Sequence, residues 1–209
     1  MKRSNLLVAI CALFLVCSVV KAADKTFKPD GDGYIHNWLL LDPIALDDKA
    51  SNHDEDNQKD FFNKEFFPGQ KTVTPKEGDK IKVGADELTW KAFSGDDAVL
   101  KFEPKDNSLY LAVVYVTSEN EVADATISIG SDDSSAWKVN GTEVVRVFAG
   151  RAVDKDQDKS KAFVLKKGVN VIMASVINGG GETGLSCRVL DKGDKPVPGL
   201  VISFTPPAK

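Results

Sequence analysis

The sequence predicts an all-β domain, a sandwich or barrel, with one short helical segment near residues 60–67. Three observations point there. Short runs of β-branched and aromatic residues recur at spacings of about ten residues, bounded by Gly, Pro, Asn and Asp. No helical period of useful length is found outside 60–67, where Phe61, Phe62, Glu65 and Phe66 give a turn or two of amphipathic helix. Val139-Asn140-Gly141-Thr142 sets Asn-Gly between two strand patterns, the strongest short hairpin signal.

The N-terminus comes first because it does not belong to the fold. Lys2 and Arg3 precede an uncharged stretch from Leu6 to Val20, and Val20-Lys21-Ala22 suits a cut before Ala23. Residues 1–22 therefore read as a cleaved signal peptide. The apolar run is shorter than the ~20 residues of a membrane span, so no span is expected after cleavage. Val16 before Cys17 does not suit lipidation. The expected product is a single domain over 23–209, secreted or periplasmic. Its loss of Lys2, Arg3 and Lys21 leaves 24 basic against 31 acidic side chains, −7 over 187 residues. Such a chain has no charge excess for nucleic acid or anionic membranes. Cys11 and Cys17 also leave, so Cys187 has no intramolecular disulfide partner and reads as a small buried hydrophobe.

Strands are expected over 34–41, 87–93, 99–102, 109–118, 123–129, 136–139, 143–148, 162–165, 169–177, 183–190 and 200–204. Residues 109–118 are apolar on both alternations, which marks a central strand covered on both faces. Reversals are expected at Asn140-Gly141, at Lys166-Lys167-Gly168 and at Asn178-Gly179-Gly180-Gly181. The stretch 47–60 carries Asp47, Asp48, Asp54, Glu55, Asp56 and Asp60, with almost no large apolar side chain, and reads as an exposed, mobile acidic loop.

Few motifs carry chemistry. Gly179-Gly180-Gly181-Glu182-Thr183-Gly184 has the glycine spacing of a dinucleotide loop, but a strand follows where a helix must open. Asp154, Asp156 and Asp158 match the first ligands of a calcium hand, yet Lys159 and Leu165 stand where Gly and a bidentate Glu belong. Asp30 and Asp32 lack a third ligand, since Tyr34 takes its place. No nucleophile elbow, zinc motif, P-loop or selectable carboxylate pair is present, so the chain reads as non-enzymatic with no catalytic residues.

The pair Asp132-Asp133, between a strand and the hairpin strand that carries Trp137, admits two chemistries. Short carboxylates there can cap the turn by accepting backbone N–H bonds. Adjacent carboxylates can instead hold Ca²⁺, which orients sugar hydroxyls. Trp38, Trp90 and Trp137 could be stacking platforms, assisted by Tyr34 or Tyr110, but each sits among strand-like apolar neighbours and core is the default for all three. Trp137 is the ligand candidate among them because it follows the acidic pair.

An ordered set of motifs then carries a resemblance. Trp38-Leu39-Leu40-Leu41-Asp42-Pro43-Ile44 resembles an opening W-L-x-L-G-P-F strand. Gly130-Ser131-Asp132-Asp133 through Trp137 to Asn140-Gly141 resembles a G-S-D-D-x-x-x-W-x-N-G hairpin. Leu165-Lys166-Lys167-Gly168-Val169-Asn170 resembles L-K-K-G-x-N, and the stretch Asn178 to Arg188 resembles N-G-G-G-x-W-G-F-x-x-R. These are motifs of galactose-binding-domain-like jelly rolls of exported bacterial proteins, related in plan to sugar-binding domains of family 2 glycoside hydrolases. Asp132-Asp133 is also similar to the calcium-dependent sugar site of protective-antigen-type lectin domains. Asp42, Thr183 and Leu185 stand where the first pattern has Gly, Trp and Phe, and Thr183 removes a stacking aromatic. The resemblance implies a jelly-roll β-sandwich that binds carbohydrate or envelope polysaccharide without catalysis, with Asp132, Asp133 and Trp137 as its site and Ca²⁺ as a possible ion. The other reading is a structural or protein-interaction module of the envelope, without a sugar ligand.

Overall fold

The computed structural model describes residues 25–206. The expected signal peptide, the cut at Ala23, Cys11 and Cys17 lie outside the described residues. In chain order the strands are β1 (Thr26–Phe27), β2 (Asn37–Leu41), β3 (Ile44–Ala45), β4 (Lys80–Val83), β5 (Asp86–Ser94), β6 (Leu100–Lys101), β7 (Ser108–Ser118), β8 (Val122–Asp132), β9 (Ser134–Val139), β10 (Thr142–Val147), β11 (Asp158–Lys159), β12 (Phe163–Leu165), β13 (Gly168–Asn178), β14 (Gly184–Leu190) and β15 (Val201–Ser203). One helix, α1 (Glu55–Asn63), lies between β3 and β4, flanked by 3-10 turns at Asp48–Ser51 and Gln70–Thr72. No helix among the described residues is long and apolar enough to cross a membrane.

The strands form an all-β sandwich of two antiparallel sheets. The larger runs β10-β9-β13-β7-β2-β5-β4, with β3 and β15 also on β7 and β1 on β15. The smaller runs β11-β8-β14-β6, with β12 on β8. Strand β7 has the two-faced burial expected of 109–118. Its side chains alternate by pleat, so Tyr110, Ala112, Val114 and Val116 enter the core between the sheets. Leu109, Leu111, Val113 and Tyr115 enter a second core on the outer side of the larger sheet. Trp38 and Trp137 meet edge to face in the first core, their ring centroids 6.1 Å apart. Trp90 lies in the second. Cys187 is buried between the sheets, and that burial pushes its thiol pKa upward.

The second core is closed by the stretch that follows β3. Here the structure differs from the sequence reading, because the acidic residues of 47–60 are ordered rather than looped out. Asp47 caps the first 3-10 turn by accepting the Lys49 N–H. Asp54 caps α1 by accepting the Asn57 N–H at 2.9 Å, and Glu55 and Asp56 sit in the first turn, where the helix dipole favours acids. The helix therefore starts five residues before the expected 60 and ends at Asn63, since Lys64 is extended. Gln58 and Phe62, one turn apart, form its buried face. Phe62 packs on Phe148 at 5.9 Å, and Gln58 Nε2 donates to the Ala50 carbonyl at 2.6 Å.

All eleven expected strand regions carry strand. The Asn140-Gly141 turn is also present, with φ of 50° and 82° at the two residues and Val139 opposite Thr142. Asn140 holds the turn to β13, its Oδ1 accepting the Val171 N–H at 2.9 Å and its Nδ2 donating to Asn170 Oδ1 at 2.8 Å. A Cβ on Gly141 would meet only Thr72 Cγ2, at 3.9 Å. Space is therefore not what demands glycine; backbone conformation is. Gly141→Val should lower stability by about 1–3 kcal/mol with the fold retained, read by thermal or denaturant unfolding. An unchanged midpoint would contradict a positive-φ turn there.

Candidate functional site

The loop end of the sandwich at the β8–β9 link gathers segments far apart in sequence. Asp133 organises it. Its carboxylate Oδ1 accepts the Arg151 backbone N–H at 2.9 Å and its Oδ2 accepts the Gly179 N–H at 3.0 Å. Its own N–H donates to the Ile177 carbonyl at 3.0 Å. One side chain thus joins the β10–β11 and β13–β14 loops to the β8–β9 link. The Asp132–Asp133 peptide bond is cis.

Neighbouring groups close around it. Arg151 donates from Nε to the Ser131 carbonyl at 3.2 Å and from Nη2 to Asp158 Oδ2 at 2.5 Å. Ser131 Oγ donates to the Asp133 carbonyl at 2.7 Å and accepts from Ser135 Oγ at 2.9 Å. Ser135 Oγ in turn accepts the Trp137 Nε1–H at 2.9 Å. A chain of hydroxyls therefore runs from the core indole to the acidic pair. His53, just ahead of α1, lies over the same loops with Nε2 at 3.8 Å from Asp133 Oδ2. A Cβ on Gly179 would sit 2.6 Å from His53 Cε1, and one on Gly150 would also collide with the imidazole. Both glycines are needed for that close approach.

Asp132 differs from its neighbour. By strand alternation it shares the outer face of the smaller sheet with Gly130 and Ser128, opposite Gly184 of β14. It is 5% exposed, and no side chain donates a hydrogen bond to its carboxylate among the described residues. Its main-chain carbonyl accepts from Thr183 Oγ1 at 2.9 Å. Burial, joined by the adjacent Asp133 charge, pushes its pKa up to about 6, while the Val153 backbone N–H pulls the other way.

The sequence candidates therefore separate. Asp132 and Asp133 lie together at the loop end, but Trp137 does not join them: it is fully buried between the sheets and can stack on no ligand. Among the described residues, the acidic pair gains no third His, Cys, Asp or Glu side chain as a calcium ligand. Both Asp133 oxygens are bonded by backbone N–H groups. Calcium requires six to eight oxygen ligands. The other acidic motifs are internally paired. Asp156 accepts from Tyr34 Oη, Ser128 Oγ and Arg188, and Asp30 accepts the Asp32 and Tyr34 N–H groups. Arg151 and His53 gave no signal in sequence, because their roles depend on contacts across the fold.

No protein-family model matches the chain, and none of the curated proteins does. Among solved structures it is similar to the PA14 domain of the MpAFP antifreeze protein, with a TM-score of 0.43 and 12% identity over 88% of this chain and 94% of that one. It is similar to a PA14 sugar-binding domain from an RTX adhesin, with a TM-score of 0.39 and 12% identity over 78% of this chain and 94% of that one. It is also similar to a β-glucosidase from Kluyveromyces marxianus in complex with glucose, with a TM-score of 0.37, 14% identity and 60% of this chain covered. The chain spans 18% of that β-glucosidase's length.

The environment of Asp132 sets a pH dependence. Its folded pKa of about 6 lies above the ordinary 3.8, so the fold favours its protonated form. Above pH 6 the folded state carries a buried charge that the unfolded chain solvates freely, and below about pH 4 both states are protonated. Asp132→Asn should thus stabilise the protein at pH 7 by on the order of 2 kcal/mol, the gain fading as pH falls from 6 to 4. Unfolding midpoints of both proteins across that range check it. A variant less stable at pH 7, or a gain independent of pH, would contradict the assignment.

Proposed function

We propose that the chain is an exported, non-catalytic module that recognises carbohydrate at the Asp132 end of the sandwich. The observation that carries this reading is Asp132 itself. Asp132 is nearly buried and receives one backbone N–H, that of Val153, whereas its neighbour Asp133 receives a backbone N–H on each oxygen. Buried carboxylates with raised pKa values concentrate at functional sites. A ligand that donates hydroxyl hydrogen bonds adds to the single Val153 N–H on Asp132, whose carboxylate has further lone pairs to offer, and sugar hydroxyls are such donors. The ordered motifs similar to galactose-binding-like domains support the same class of ligand. In this reading Asp133, Arg151 and His53 hold the loops in place, Asp132 accepts from the sugar, and calcium has no part. The leader read over 1–22 supports export to the envelope or beyond.

A glycan array with the mature protein, repeated in a chelator and with Asp132→Ala, tests this. The expected result is binding to a subset of glycans, unchanged by the chelator and about ten-fold weaker or more in the variant. Absence of glycan binding would overturn the reading in favour of a structural or protein-interaction module. Binding that vanishes in chelator would overturn the calcium-free site.

A further inference from the structure

At the far end of β9 from Asp133, about 20 Å away by strand rise, a second feature stands apart from the loop-end site. The outer face of the larger sheet holds a cavity of about 230 Å³ beside the Asn140-Gly141 turn. Lys138, Val171 and Met173 of adjacent strands β9 and β13 line it, and the stretch Lys71 to Thr74 passes over it. Its origin lies in the pleat. The side chains of β9 facing the second core are Ala136 and then Lys138, so the apolar packing thins out towards the hairpin. The covering stretch puts Lys71, Thr72, Val73 and Thr74 there, with Val73 its one apolar side chain, and Gly141 adds none.

Charge in the cavity is unbalanced. Neither Lys71 nor Lys138 forms an ion pair among the described residues. Two carboxylates approach, and both are engaged elsewhere. Glu143 is held by Arg146, through Nε at 3.0 Å and Nη2 at 2.6 Å. Glu65 Oε1 accepts the Lys71 backbone N–H at 3.4 Å. Burial, with the charges of Lys71 and Arg146, lowers the Lys138 pKa, and Glu143 and Glu65 only partly offset this. The Asn140 amide is used in holding β13. The unspent donors at the cavity are therefore ammonium groups and the Thr72 and Thr74 hydroxyls, and the remaining lining is apolar.

We infer that this cavity binds a small organic carboxylate, its anionic end between Lys71 and Lys138 and its carbon body on Val73, Val171 and Met173. Charge complementarity selects an anion, and the apolar walls select an organic one over sulfate or phosphate. Size narrows it further. Pockets for drug-sized ligands run to roughly 300–1,000 Å³, so this one takes a single small unit, either a sugar acid or a short aliphatic acid. The site is independent of Asp132 and stands or falls separately from carbohydrate binding there.

The test is a ¹H–¹⁵N titration of the mature protein with glucuronate and with hexanoate, alongside glucose, hexanol and sulfate. The expected result is saturable movement of the Thr72, Gly141 and Val171 amides with one carboxylate, and none with its neutral counterpart. Glucuronate and hexanoate distinguish the two sources of the carboxylate. Lys71→Gln, on the surface and safe for folding, should weaken binding, and Lys71→Gln with Lys138→Gln should weaken it by about ten-fold or more. Equal movement with sulfate would reduce the effect to general anion attraction and overturn the inference. So would silence with both carboxylates, or unchanged affinity in the folded Lys71→Gln variant.

Discussion

Strand β7 is buried on both faces, and much of the molecule answers to that constraint. A strand with apolar side chains on both alternations cannot border water on either side without a large hydrophobic cost. The smaller sheet covers one face. The other requires something else, and the chain provides it from residues that look least suited to burial. The acidic stretch after β3 folds as a 3-10 turn and α1, capped by Asp47 and Asp54, and lowers Gln58 and Phe62 onto the sheet. Its acids remain outside as caps and first-turn charges, so covering the sheet and bearing charge are compatible.

The covering stretch also shapes both candidate sites. Its start carries His53 across the β10–β11 and β13–β14 loops, against Gly150 and Gly179, and so closes the region around Asp133. Its end, Lys71 to Thr74, spans the thin part of the second core and leaves a cavity beside Lys71 and Lys138, neither of which forms an ion pair among the described residues. Between the two acids of the β8–β9 link the division of labour is electrostatic. Asp133 receives two backbone N–H groups and binds loops together; Asp132 receives only that of Val153 and bears the larger desolvation cost.

Much of this fold is legible in sequence because period-two burial writes itself into composition. The eleven strand patterns, the two-faced strand and the Asn140-Gly141 turn all follow from residues adjacent in the chain. Missed were β1, β3 and β11, each of two residues, and β4, whose Lys80-Ile81-Lys82-Val83 offers only two apolar side chains. The placement of α1 departs from the sequence expectation for a different reason. Acid-rich composition argues against burial, but capping depends on which single Asp precedes the first turn, and only Phe62 and Gln58 needed covering. At the site, the pair Asp132-Asp133 stood out, while its partners Arg151, Gly179 and His53 come from distant segments and carry no motif. Trp137 follows the core default for strand aromatics rather than its ligand candidacy: pleat alternation turns it inward, beside Trp38.

The claim that the acidic stretch is part of the folded core rather than an appendage is open to direct measurement by native-state amide hydrogen exchange. The Gln58 and Lys64 N–H groups, bonded to the Asp54 and Asp60 carbonyls, report on α1, and those of Val113 and Tyr115 report on β7. If the second core holds the sheet, α1 opens with a free energy close to that of β7, and both units lose protection together as denaturant is added. Exchange of the α1 amides at nearly unprotected rates, with β7 still fully protected, would contradict the account.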